Sequence, residues 1–264
     1  MRKSLLPLIV FGVFAFSVGC TEKVVRRMPA GAVTDQSGDC ENLRLLIRRD
    51  DPHCYSNIAN NNPPIDRFEK EILAFEAADK TDFTGHADVL FIGSSSIRLW
   101  NIEKYFPDLN AINRGFGGSC INESVYYFDR IVLPYAPRVI VFYAGDNDIA
   151  MGKSPETVFD DFRQFVSKTK SALPRTRIIY ISIKPSIARW EQWPCMKLAN
   201  CLIAQYCDAD PLLAFADISN VMLNENGRPR RELFRPDGLH LNEEGYQRWK
   251  EVLEVYLQSE NMEN

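Results

Sequence analysis

From about residue 89 onward, short apolar runs alternate with longer stretches of helical period. Val89-Leu90-Phe91-Ile92, Ala111-Ile112-Asn113, Val139–Tyr143, Ile178–Ser182 and Leu213–Ala216 read as five strands. Continuous apolar runs of this kind suit a parallel sheet that is covered on both faces. The stretches between them predict helices over about 122–133, 155–172 and 189–208. A last helix is expected over about 242–257, with Asn242 as its N-cap and Tyr246, Trp249, Leu253 and Tyr256 on one stripe. Pro63-Pro64 opens an earlier helix to about Asp79, with Ile65, Phe68, Ile72 and Phe75 on one face. Alternating strands and helices predict an α/β fold, a three-layer αβα sandwich.

The first twenty residues follow another pattern. Arg2 and Lys3 precede the apolar run Leu5–Val18, and Gly19-Cys20 follows. This is the layout of an export signal. The run is shorter than the roughly 20 residues a spanning helix needs. Ser17-Val18-Gly19-Cys20 resembles a bacterial lipobox, although Ser17 stands where Leu is usual. The resemblance implies lipidation of Cys20, with residues 1–19 removed as a signal peptide. The absence of Asp at position 21 then implies an outer-membrane destination in a bacterial cell envelope. An ordinary secretory signal or an uncleaved anchor is the alternative. Residues 20–62 read as a tether and a Cys-bearing extension, and residues 63–264 as the main domain.

Export changes the meaning of the cysteines. Beyond Cys20 there are six: Cys40, Cys54, Cys120, Cys195, Cys201 and Cys207. An even number in an oxidising compartment suggests disulfides. Cys40–Cys54 would staple the extension, and one pair among Cys195, Cys201 and Cys207 is also expected. A zinc site is disfavoured, because no close CxxC or neighbouring His accompanies them. The formal charge of −4 offers no basic surface for nucleic acid.

Four polar motifs punctuate the alternating pattern. They are Gly93-Ser94-Ser95-Ser96, Asn113-Arg114-Gly115-Phe116-Gly117-Gly118, Gly145-Asp146-Asn147-Asp148 and Asp237-Gly238-Leu239-His240. The first three follow predicted strands, so they should meet at the carboxyl edge of the sheet, where ligands bind in such folds. Of the three histidines, His53 lies in the extension and His86 precedes the first strand. That leaves His240 as the general base a serine nucleophile requires, with Asp237 one turn away to orient it. Ser95 is the favoured nucleophile, with Ser94 and Ser96 as rivals. Gly118, Asn147 and the Ser95 N–H can supply oxyanion donors. A dinucleotide reading of the glycines fails, because Cys120 stands where G-x-G-x-x-G needs its third glycine. Asp146 and Asp148 are too few carboxylates for a metal, and none is expected. The G-x-S-x-G elbow of α/β-hydrolases is absent.

In order and spacing, the four motifs resemble the SGNH (GDSL-like) hydrolase superfamily. Its four named residues match Ser95, Gly118, Asn147 and His240, and its Asp matches Asp237. The Asn-x-Gly-x-Gly-Gly block looks like the branch with platelet-activating-factor acetylhydrolase subunits and sugar acetylesterases. The resemblance implies a flavodoxin-like sheet of order 2-1-3-4-5, no cofactor, and a catalytic triad of Ser95, His240 and Asp237. One residue departs from the family: Ser94 replaces the Asp of Gly-Asp-Ser. The expected activity is hydrolysis of short acyl esters, such as O-acetyl groups on glycans. No long apolar lid segment points to a lipase. Acyl transfer, or binding of a glycan or partner without catalysis, are the alternatives. Arg98, Arg114, Lys184 and Trp190 are candidates for substrate binding, and Trp193 accompanies Trp190.

Overall fold

The structure is a computed structural model that describes residues 36–50, 54, 63–82 and 85–258. The candidate signal, Cys20 and His53 lie outside the described residues. Five parallel strands form one sheet in the order β2-β1-β3-β4-β5. They are β1 Val89–Gly93, β2 Ala111–Gly115, β3 Val139–Tyr143, β4 Arg177–Ile181 and β5 Leu213–Ala216. In register, Val89 lies beside both Ala111 and Val139, so β1 and β3 occupy the centre of the sheet. Both are buried along their whole length, which is why their sequences are apolar without alternation.

Alternate residues of these strands feed two separate cores. Leu90, Ile92, Ile140, Phe142, Ile178 and Tyr180 join one. Val89, Phe91, Val141, Tyr143, Ile179 and Ile181 join the other. The first core is closed by helices that include Glu69–Asp82, Pro155–Ala172 and Trp193–Asp208. The second is closed mainly by the C-terminal helix Glu243–Gln258 and the aromatic residues Trp100, Tyr105 and Phe106. The C-terminal helix starts where expected: the Asn242 side chain accepts from the Gly245 N–H at 3.0 Å. Tyr246, Trp249 and Leu253 are buried, and Tyr256 is partly covered.

Several boundaries differ from the sequence reading. The early helix begins at Glu69, not Pro63. Residues 65–68 form turns, with the Arg67 N–H bonded to the Pro64 carbonyl. The helix expected over 122–133 is two short pieces, Ile121–Tyr126 and Phe128–Ile131, followed by a 3-10 turn at Pro134. A helix at Gln36–Asp50 falls in the stretch read as a tether and Cys-bearing extension. Its Leu45 and Leu46 are exposed while Ile47 is buried, which blurs any apolar stripe.

The disulfides also differ. Cys40 pairs with Cys201, and Cys54 with Cys195. Cys120 and Cys207 are free and buried. Cys195 and Cys201 share the helix Trp193–Asp208. Six residues of helix separate two Cα atoms by about 9 Å, too far for a direct bridge. Each therefore reaches outward, and the two bridges bind the N-terminal helix and Cys54 onto this one helix.

Candidate active site

Parallel strands bring their carboxyl ends to one edge. The chain turns sharply at the end of β1. Gly93 has φ +129°, and a Cβ there would lie 1.8 Å from the Tyr143 carbonyl oxygen. The next N–H, of Ser94, donates to that carbonyl at 2.9 Å. Ser95 then opens the short helix Ser95–Arg98. As the first helical residue it has a backbone N–H with no intrahelical acceptor.

The Ser95 hydroxyl lies 3.0 Å from His240 Nε2. On the other side of the ring, His240 Nδ1 lies 2.7 Å from Asp237 Oδ2. The remaining Asp237 oxygen accepts the backbone N–H groups of Leu239 and His240, each at 2.9 Å. Partial burial pushes the Asp237 carboxyl up, but these three bonds outweigh it and hold the carboxyl down at about 2. An ionised carboxylate can only accept, so Nδ1 carries the ring proton and Nε2 is left to accept the Ser95 proton. The rivals Ser94 and Ser96 are both fully buried. Ser96 Oγ is bonded by Lys184 at 3.2 Å. Only Ser95 meets the histidine.

Gly118 has φ +84°, and no atom lies within 4 Å of where its Cβ would be. That open space leaves an approach to its backbone. Arg67 holds the loop from behind, donating to the Gly118 carbonyl at 3.0 Å and to both Glu123 oxygens. Glu123 in turn accepts the Cys120 N–H at 2.8 Å. Asn147 is buried and donates one amide proton to the Ser119 carbonyl at 3.0 Å. Its carbonyl oxygen accepts from Arg189 at 2.9 Å.

Below the surface, Asp146 faces two cations, Lys184 at 3.0 Å and Arg189 at 3.1 Å. Burial alone would raise the Asp146 carboxyl, and the two cations bring it below the ordinary carboxylate range. Asp148 is likewise paired, with Lys153 at 2.9 Å.

The four substrate-binding candidates separate. Lys184 does not line the surface: it is fully buried beneath Ser96, bonded to Ser96, Tyr143 and Asp146. Arg114 is also structural, tied to Tyr135, the Asn113 carbonyl and Asp79. Trp190 is half-buried, stacked near Trp193 and under Arg228. Arg98 is exposed. Arg67 and Arg189 were not anticipated from sequence. Neither stands in a motif, and only the folded chain brings them to the glycine loop and to Asn147.

The sequence profile of the GDSL-like lipase/acylhydrolase family matches residues 101–248. This chain belongs to that family. It is therefore a hydrolase of ester bonds. The match spans Gly118, Asn147, Asp237 and His240 and begins after Ser95. No curated protein sequence matches the chain. Among solved structures, it is similar to a Streptococcus pneumonia protein provisionally described as a platelet activating factor. The two share 22% identity with a TM-score of 0.64, over 72% of this chain and 92% of that one. A GDSL-like lipase from Bacteroides thetaiotaomicron shares 19% identity at a TM-score of 0.59, over 74% and 98%. A carbohydrate esterase family 3 protein from Talaromyces cellulolyticus shares 16% at 0.52, over 65% and 96%. These likenesses show the SGNH hydrolase fold, with its sheet order 2-1-3-4-5.

Proposed function

We propose that this family member is a serine esterase that removes short acyl groups, with O-acetylated glycans as substrates. One observation carries the reading: Ser95 Oγ, His240 and Asp237 stand in a hydrogen-bonded line at 3.0 and 2.7 Å, although 145 positions separate the serine from the histidine. Ser95 attacks the ester carbonyl as His240 Nε2 takes its proton. Negative charge gathers on the carbonyl oxygen, toward which the Ser95 N–H, the Gly118 N–H and the second Asn147 amide proton are the available donors. His240 then protonates the leaving alcohol. Water, deprotonated by the same ring, releases the acyl group from Ser95.

The short-acyl preference draws on the likeness to a carbohydrate esterase and on an acetyl esterase of similar fold. We further read the chain as an exported, lipid-anchored envelope protein. The two disulfides support export, since such bridges persist in oxidising compartments. Cys20 is the proposed lipid attachment point.

A fluorophosphonate probe with peptide mapping tests the mechanism, alongside p-nitrophenyl acetate hydrolysis by the parent, Ser95→Ala and His240→Ala. Label on Ser95, with turnover lost in both variants by on the order of 10⁶-fold, is the expected result. An unlabelled, inactive parent would make this a binding protein on an esterase fold. Acetate release from a panel of O-acetyl glycans then tests the substrate class.

A further inference from the structure

Three arginines around the site each hold a carboxylate. Arg67 is bonded to Glu123, Arg114 to Asp79 and Arg189 to Asp146. Two others at the same edge do not. Among the described residues, neither Arg98 nor Arg235 has a carboxylate partner, and both are exposed. The nearby acids are already engaged, Asp237 by His240 and Asp146 by Lys184 and Arg189.

Both are placed by the catalytic elements themselves. Arg98 lies three residues after Ser95 in the helix Ser95–Arg98, a spacing that puts both on one face. Its side chain packs against Gly117. A Cβ at Gly117 would come 2.6 Å from Arg98 Nε and 3.1 Å from its Cζ. The absent side chain at Gly117 thus seats the guanidinium against the loop that carries Gly118. Arg235 is built into the loop of Asp237 and His240. Its N–H donates to the His240 carbonyl at 2.8 Å, and its carbonyl accepts the Gly238 N–H at 3.0 Å. Its Nε donates to the Leu241 carbonyl at 2.9 Å. Both positive charges also reach the buried phenol of Tyr246. Burial raises that phenol, and Arg235 and Arg98 each act against the rise. Tyr246 donates to the Ser96 carbonyl at 2.9 Å, directly behind the nucleophile. Arg98 thus belongs to the nucleophile's own helix and lies against the Gly118 loop, and Arg235 belongs to the loop of the base.

The chain as a whole is negative, with a formal charge of −4. Two unpaired cations at the mouth of its site run against that balance. Local charge of one sign raises the concentration of oppositely charged substrate. We propose that Arg98 and Arg235 form an anion subsite, so that the preferred substrate is an acidic glycan ester carrying a carboxylate or phosphate near the scissile bond. This rests on the esterase reading above.

The test compares acetate release from matched sugars: O-acetyl glucuronate against its methyl ester, and O-acetyl glucose 6-phosphate against O-acetyl glucose. The parent is expected to favour one charged member by roughly tenfold in kcat/KM, the scale of two partly exposed charge-assisted contacts. Which pair shows the preference distinguishes carboxylate from phosphate. Arg98→Gln with Arg235→Gln should bring that ratio close to one, and Gly117→Ala, which keeps the charge but unseats it, should lower it in part. Raising ionic strength from about 0.01 to 0.15 M should also shrink the ratio, as the screening length falls from about 30 to 8 Å. A parent that favours neither charged sugar, or a ratio unmoved in the double variant, overturns the subsite while p-nitrophenyl acetate hydrolysis still stands. Loss of all ester hydrolysis in the parent removes the esterase reading and this inference with it.

Discussion

The Arg189 guanidinium donates to the side-chain carbonyl of Asn147 at 2.9 Å, and this bond decides which way the amide faces. A guanidinium has no acceptor, and the Ser119 carbonyl on the other side of the amide has no donor. Asn147 therefore presents its oxygen to Arg189 and its nitrogen to Ser119. The second N–H of that nitrogen is the one that would serve the proposed oxyanion hole. A cation on the amide oxygen also polarises the group and strengthens that N–H as a donor.

Asn147→Ala should lower kcat by about 10²- to 10³-fold with little change in KM, the cost of one oxyanion donor. Arg189→Ala should cost less, roughly 10- to 100-fold, because the donor is misplaced and not removed. The two changes should not add. In the double variant the loss of Arg189 has no amide left to misplace. Steady-state kinetics on p-nitrophenyl acetate would show this, and additive losses would mean that Arg189 acts elsewhere.

The pH profile offers a separate check. Asp237 is held down at about 2, against about 3.9 for an unfolded Asp. Its favourable interaction is thus present above the unfolded value and is lost only as pH falls through about 2. The kcat/KM profile should therefore show no ionisation from Asp237 down to about pH 3. An ionisation in that range that disappears in Asp237→Asn would contradict the bonding of Asp237. Asp237→Asn should lower kcat by on the order of 10⁴-fold.

Lys184 has no outlet to solvent, so its role shows in stability. Lys184→Met leaves Asp146 buried with Arg189 alone at 3.1 Å. Breaking a buried pair in this way costs about 3 kcal/mol or more. Urea denaturation should report that loss. A variant as stable as the parent would show that Arg189 suffices to neutralise Asp146.

Sequential alkylation checks the bridges. Cys120 and Cys207 are buried free thiols, and burial pushes the Cys207 thiol up to about 12. Both should resist alkylation in the native protein and react on unfolding without reductant. Peptide mapping should then return Cys40 with Cys201 and Cys54 with Cys195. A Cys40–Cys54 peptide would contradict the fold of the N-terminal segment.

The parts legible in sequence were those carried by local pattern. Val139–Tyr143 is apolar at every position because both sides of the central strand are buried, so the run was enough to place β3. Asn242 marked the start of the last helix through its cap. Parallel strands then forced Ser95, Gly118 and Asn147 to one edge. What escaped depends on long-range partners. Lys184 reads as a substrate-binding cation just past the fourth strand, yet its partner Asp146 is 38 positions away and both are buried. Arg67 and Glu123 are 56 positions apart, and nothing local marks either. The cysteines were paired by nearness along the chain, whereas a helical spacing keeps Cys195 and Cys201 from each other.

The two bridges span 161 and 141 positions, while Cys40 and Cys54 are only fourteen apart. A chain that emerges N-terminus first exposes Cys40 and Cys54 together, long before either true partner exists. Closing the short loop costs about 2 kcal/mol less chain entropy than closing the long one. The early oxidation product in refolding is thus expected to be the wrong one, exchanged by thiolate attack once the helix Trp193–Asp208 has formed. Oxidative refolding should then need thiol exchange more than added oxidant. A refolding mixture poor in reduced thiol should stall with Cys40 joined to Cys54 and the N-terminal helix unmoored.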